Sequence, residues 1–263
     1  MRKIINSIIT ACFASTIVTL ASGCGGEDAD RYERVTKLRA IGVATNPVVL
    51  AAPASGMTSS VELTVFAAMP KGGTVNAAPF LDEASSYGIP VQVSLDPSTA
   101  ATQSFAALDV YSVKANATVG PLTPQQEAIL RGAREQGLGK LTLRYAVKLD
   151  SGEESETIVG NILVYPEESP ETSFQPLSVT IAEPIANGTV GIGPKQSLSG
   201  SITKPQDENI KVSWFVSSGK VTNRRARETK WEPVDAGTQT VIMTARGMKS
   251  GSFAMQAVDV TAE

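Results

Sequence analysis

Ile210-Lys211-Val212-Ser213-Trp214-Phe215-Val216 is the stretch from which the fold is read. Ile210, Val212, Trp214 and Val216 fall on every second position, and Lys211, Ser213 and Ser217 alternate with them. Period two marks a strand with one face in a core and the other toward water. That places Trp214 on the buried face. Ser218-Gly219 then turns the chain into Lys220-Val221. Upstream, Leu177, Val179 and Ile181 alternate with Ser178 and Thr180. Downstream, Trp231-Glu232-Pro233 precedes Gly237 and the run Thr240-Val241-Ile242-Met243-Thr244-Ala245, and Ser252 to Val260 forms a last strand. Several short strands at regular spacing predict a sandwich.

Trp214 in a central strand, then Trp231-x-Pro ahead of Gly237-Thr238-x-Thr240-Val241, resembles the Ig-like and PKD-like domains of bacterial surface proteins. The resemblance covers Pro176 to Glu263. It implies that Trp214 packs at the centre of the core. The disulfide partner of antibody domains is absent, as in most bacterial versions. Such architecture serves many functions and by itself licenses no activity.

Moving toward the N-terminus, residues 166–176 hold Pro166, Pro170 and Pro176 with Glu167, Glu168 and Glu171 and no apolar period. This composition predicts an extended interdomain linker. Residues 35–165 are similar to an Ig-like sandwich in strand pattern only, with insertions expected around Ala68–Gly88 and Ala115–Gly139. Val61, Leu63 and Val65 alternate with polar neighbours, as do Val91, Val93 and Leu95, and Leu141, Leu143, Tyr145, Val147 and Leu149. Val35 to Val43 alternates less cleanly, which a bulge or a crossing between sheets would explain. Asp150-Ser151-Gly152-Glu153-Glu154 predicts a hairpin with a solvated acidic turn. Thr123-Pro124-Gln125-Gln126 has Thr at the N-cap, Pro at the first helical position and Gln at the third, a capping box. Ile129 and Ala133 give that helix an apolar stripe, and Gly137 is placed to cap its end. The expected fold is therefore all-β: two Ig-like antiparallel β-sandwich domains in tandem, at 35–165 and 177–263, with one short connector helix in the first.

At the N-terminus, Met1-Arg2-Lys3 precedes the mostly apolar run Ile4 to Leu20 and then Ala21-Ser22-Gly23-Cys24. Basic, apolar and small-residue regions in that order form a secretory signal, here residues 1–23. Ala21-Ser22-Gly23-Cys24 resembles the lipobox of bacterial lipoproteins, with Ala21 where the family usually has Leu. The resemblance implies cleavage before Cys24 and attachment there of several acyl chains, palmitate among them. One chain gives marginal membrane binding and two or more give a stable anchor. Gly25 after the cysteine, in place of an aspartate, points by the same analogy to an outer-membrane lipoprotein of the cell envelope. Residues 24–34 are polar, charged and Gly-led, and read as a flexible tether reaching at most about 35 Å.

Composition narrows the chemistry. Removing Arg2 and Lys3 from 23 basic residues leaves 21 against 26 acidic ones, a balance that argues against general nucleic-acid binding. The chain has no histidine, which rules out Ser-His and Cys-His nucleophile pairs and His-ligated zinc. Cys12 lies in the apolar run, so with Cys24 lipidated no disulfide is expected. No P-loop, dinucleotide fingerprint or G-x-S-x-G elbow is present. Neither catalytic residues nor a cofactor or metal is expected. The acidic residues from Asp150 to Glu156 lack the spacing of a calcium loop, and Asp207-Glu208-Asn209 is a weak version of one. Arg224, Arg225, Arg227 and Lys230 form the one basic cluster and a candidate anion-binding loop. Together these features read as a lipid-anchored, non-enzymatic envelope scaffold or adhesion protein, held to the membrane through Cys24, whose protein or glycan partner is open. The alternatives are a glycan-binding module built on exposed Trp or Tyr, with Trp231 the open question, and a paired-carboxylate glycoside hydrolase.

Overall fold

A computed structural model describes residues 32–46, 49–54, 56–81, 88–136, 141–152, 154–165, 177–205, 208–248 and 250–263. The first sandwich runs β1 (Arg39–Asn46), β2 (Val49–Ala51), β3 (Ser59–Pro70), β4 (Asn76–Leu81), β5 (Val91–Ser104), β6 (Leu108–Val119), α1 (Pro124–Glu135), β7 (Leu141–Asp150) and β8 (Ser155–Tyr165). The second runs β9 (Ser178–Glu183), β10 (Thr189–Val190), β11 (Gln196–Thr203), β12 (Ile210–Val216), β13 (Lys220–Val221), β14 (Glu228–Glu232), β15 (Gly237–Gly247) and β16 (Phe253–Ala262). The sheets of the first are β1-β3-β6-β5 and β2-β8-β7-β4, and those of the second are β9-β11-β14-β13 and β10-β16-β15-β12. Adding eight to each strand number of the first sandwich reproduces the second. The two are Ig-like sandwiches in tandem, one topology used twice. Their pairing is antiparallel except where the chain changes sheets early in each, so that β2 meets β8 and β10 meets β16 in parallel.

The irregular start of the first sandwich is a bulge. Ala40 pairs with Ala67 and Gly42 with Phe66, leaving Ile41 as the extra residue. The β7–β8 hairpin closes through Ser151 N–H to Glu154 O, with Gly152 at φ 90°. Glu156, expected with the solvated acidic residues, turns inward instead. It pairs with Arg39 at 3.1 Å and accepts the Ala40 N–H, at the edge strand of the sheet β1-β3-β6-β5. The 68–88 stretch, expected as an insertion, carries β4, a full member of its sheet. Small residues and Pro79 hide its alternation. The linker 166–176 and tether residues 24–31 lie outside the described residues. The tether's last residues, 32–34, are packed structure and not free chain. Val216 N–H donates to Glu33 O, Val35 N–H donates to Val216 O, and Glu33 is buried.

The cap of α1 forms as its sequence predicts. Thr123 N–H donates to Gln126 Oε1 at 2.8 Å, and Gln126 N–H reaches Thr123 Oγ1 at 3.4 Å. Its buried stripe differs from the one expected. Leu130 and Ala133 enter the core while Ile129 is 39 % exposed, because the helix lies across the sandwich end on its Leu130 side. Gly137 lies outside the described residues. Thr123→Ala is expected to lower stability by about 1 kcal/mol. An unmoved denaturation midpoint would show that the cap contributes nothing.

Each sandwich has its own core. Leu63, Val65, Leu143, Tyr145 and Val147 centre the first, and Leu198, Trp214, Trp231, Val241 and Met243 the second. Both tryptophans are fully buried. The Trp214 indole donates to Ala226 O and the Trp231 indole to Ser218 O, each at 2.8 Å, so neither buries an unpaired N–H.

A third apolar cluster joins the sandwiches. Val35, Ala68, Leu108 and Val110 of the first half meet Phe215 and Ile242 of the second. The Phe253 ring stacks on Phe66 at 5.7 Å and covers Gly42, where any Cβ would overlap it. Ala106 N–H donates to Asp259 and Ala107 N–H to Thr240, and Thr240 in turn donates to Asp259. Tyr32 to Glu263 thus form one compact unit.

Candidate functional site

The face of β12 opposite Trp214 carries Lys211, Ser213 and Phe215, and β15 sets Arg246, Thr244 and Ile242 directly across from them. At one end of this ladder Phe215 and Ile242 enter the joint between the sandwiches. At the other, Lys211 and Arg246 line an open groove of about 660 Å³. Its opposite wall comes from β1, β7 and β8 of the first sandwich, with Val43, Thr157 and Asn161 among the lining side chains.

The β13–β14 loop adds two more cations, Arg224 and Arg225. It is held against the β12 edge: Trp214 N–H donates to Arg224 O at 2.9 Å, and Arg225 N–H donates to Asn223 Oδ1 at 3.1 Å. The Arg224 guanidinium lies 4.4 Å from the centre of the Tyr32 ring, and Arg39 lies 5.4 Å from it. The Tyr32 hydroxyl donates to Ala40 O at 3.2 Å. Burial pushes that hydroxyl's pKa up, and so does Glu156, while Arg224 and Arg39 oppose the rise.

The predicted basic cluster is therefore divided. Arg224 and Arg225 face the groove. Arg227 is exposed, and Lys230 donates to Ser197 Oγ at 2.8 Å on β11; neither lines the groove. Lys211 and Arg246 were not among the sequence candidates, because 35 residues separate them and only strand register brings them opposite one another. Cys24 lies outside the described residues.

The first sandwich contributes two hydroxyls. Tyr145 Oη and Thr45 Oγ1 belong to groove-lining residues, are buried, and have no hydrogen-bond partner. The Tyr145 ring passes over Gly160 on β8, where a Cβ would collide with it. Burial pushes the Tyr145 hydroxyl well above the ordinary tyrosine range, and Arg246 opposes the shift.

Among the described residues no Asp or Glu lines the groove. A paired-carboxylate hydrolase needs two acids in a cleft, and the described lining presents cations and neutral side chains. Trp231, the candidate sugar platform, is enclosed in the second core. Asp207 lies outside the described residues, and Glu208 is buried and accepts the Ser250 N–H at 3.1 Å. Among the described residues no group of three acidic or cysteine side chains is placed to hold a metal ion.

No family model and no curated protein matches this chain. Solved structures similar to it share low identity and low structural overlap. The fibronectin(III)-like modules of Clostridium thermocellum CbhA match at 13 % identity over 84 % of this chain and 94 % of theirs, with a TM-score of 0.30. The Ig1-2 module of the Drosophila receptor protein tyrosine phosphatase DLAR matches at 7 % over 86 % and 99 %, with a TM-score of 0.28. The PKD domain of human KIAA0319 matches at 14 % over 37 % and 89 %, with a TM-score of 0.26. The assignment of two Ig-like sandwiches rests on the strand order itself.

Chemically the groove is suited to holding an oxyanion. Guanidinium groups present fork-shaped donors to carboxylate or phosphate, and the unpaired hydroxyls can add further donors.

Proposed function

We propose that this chain is a non-enzymatic cell-envelope interaction protein, tethered by lipid on Cys24, that presents one fixed surface made by two sandwiches. The observation that carries this reading is the joint. Phe215 and Ile242 are buried against Val35, Leu108 and Val110, and backbone amides of the first half donate to Thr240 and Asp259 of the second. Flexible beads on a string would have no use for such a joint, whereas a composite surface requires it. The absence of histidine keeps most nucleophile chemistry out of the reading.

The lipid anchor is tested separately. In the native envelope Cys24→Ala is expected to move the protein from the membrane fraction to the soluble fraction, while the unsubstituted protein bands at outer-membrane density. A Cys24→Ala protein that stays with membranes overturns the anchor.

A further inference from the structure

We propose that the groove between the sandwiches is a docking site for an extended acidic peptide, a partner segment carrying Asp or Glu beside apolar residues. The proposal deepens the interaction reading above and rests on it.

The first support is an unfavourable charge arrangement. Lys211 and Arg246 are direct cross-strand neighbours, and like charges so placed destabilise a sheet. Among the described residues no carboxylate pairs with either of them or with Arg225, and none lines the groove. An anion lying between these cations reverses the sign of the interaction. The second support comes from Tyr145 Oη and Thr45 Oγ1, buried in the same groove without partners. A buried hydroxyl left unpaired is costly, and a ligand acceptor removes that cost.

The rest of the lining selects a peptide over a lone anion. Val43, Ile158, Leu163 and Phe253 give the groove apolar area, and Met248 is 61 % exposed at its side. A volume of about 660 Å³ lies well above what an inorganic ion fills. Neutral hydrogen-bonding side chains are spread along the walls, Thr157 and Asn161 on β8 and Ser213 on β12. Spaced groups of this kind match the repeating N–H and C=O of an extended backbone, which an acyl chain does not have.

The test uses the full chain in detergent and a fluorescein-labelled hexapeptide of alternating Asp and Val, followed by fluorescence polarisation. Saturable binding that weakens with added salt is expected. Replacing every Asp of the peptide by Asn should abolish it. Arg225 is exposed, so Arg225→Gln should leave the thermal transition in place and weaken binding about tenfold. Tyr145→Phe keeps the ring and should weaken binding about fivefold. Absence of saturable binding, equal binding of the Asn peptide, or unchanged affinity in both variants overturns the proposal. Inorganic phosphate and phosphatidylglycerol added to the same micelles serve as competitors. If either binds through Arg225 more tightly than the peptide does, the ligand carries phosphate and the peptide assignment falls. Since the anchor is read from Cys24 alone, its failure and the failure of the groove are distinguishable.

Discussion

Trp214→Ala is expected to lower the stability of the protein by about 3–5 kcal/mol, the usual cost of truncating a fully buried tryptophan. The side chain is fully buried among Val212, Val216, Val241 and Met243. Its indole also ties the β13–β14 loop to β12 through Ala226 O. Removal therefore opens a cavity and also frees the loop that carries Arg224 and Arg225. Natural domains have about 5–15 kcal/mol in hand, so the loss takes a large share of the margin. Trp231→Ala should cost a similar amount, since that ring is equally enclosed. The check is the chemical denaturation midpoint of each variant, with iodide quenching of the native protein. Free quenching, together with an unmoved midpoint in Trp214→Ala, would show that the second core is not built around this ring.

Phe215→Ala should produce a loss of similar size with a different signature. Phe215 is buried on the opposite face of the same strand, where it fills the joint between the sandwiches. Truncation costs about 3–5 kcal/mol in a well-packed site, and here that cost falls on the coupling between halves. Both tryptophans of the chain, Trp214 and Trp231, belong to the second sandwich, so their fluorescence reports that half alone. Far-UV circular dichroism reports both halves. In the unsubstituted protein the two signals should change together. In Phe215→Ala they should separate, with the sandwiches melting at different temperatures. Coincident and unshifted transitions in that variant would mean that the joint contributes little to stability.

The same pair of residues explains what was legible in the sequence. The inner face of β12 was readable because Ile210, Val212, Trp214 and Val216 keep strict period two against polar neighbours. Phe215 interrupts that alternation, and the interruption is physical: this strand is covered on both faces at one end. Val241-Ile242-Met243 and Ala67-Ala68-Met69 are likewise buried on consecutive positions. Unbroken apolar triplets in these three strands coincide with the joint, while Tyr145-Ala146-Val147 and Ile162-Leu163-Val164 are buried in the same way outside it, so the triplet marks two-sided cover and not the joint itself. The capping box of α1 was legible because it is local, with donors and acceptors three residues apart. The groove was legible only in part. Arg224 and Arg225 stood out as neighbours in the chain, whereas Lys211 and Arg246 meet through register and Tyr145 reaches the site over Gly160. Long-range register leaves little trace in a single chain, and a tyrosine on an inward face reads as core whether or not its hydroxyl is satisfied.

The route by which the chain enters the folded unit has a mechanical consequence. Before building β1 of the first sandwich, it runs alongside β12 of the second, with Arg34 bridged in parallel to Val216. Glu33 O and Val35 N–H hold both sides of Val216, and Arg34 pairs with Asp235 at 3.6 Å. Tension arriving from the N-terminal side, drawn along the strand direction, shears these two backbone bonds together and does not peel them in turn. Part of the load thus passes to the strand backed by Trp214, while the Tyr32 hydroxyl on Ala40 O carries another part into β1. Traction on the N-terminal side is shared between the two sandwiches at the point of entry.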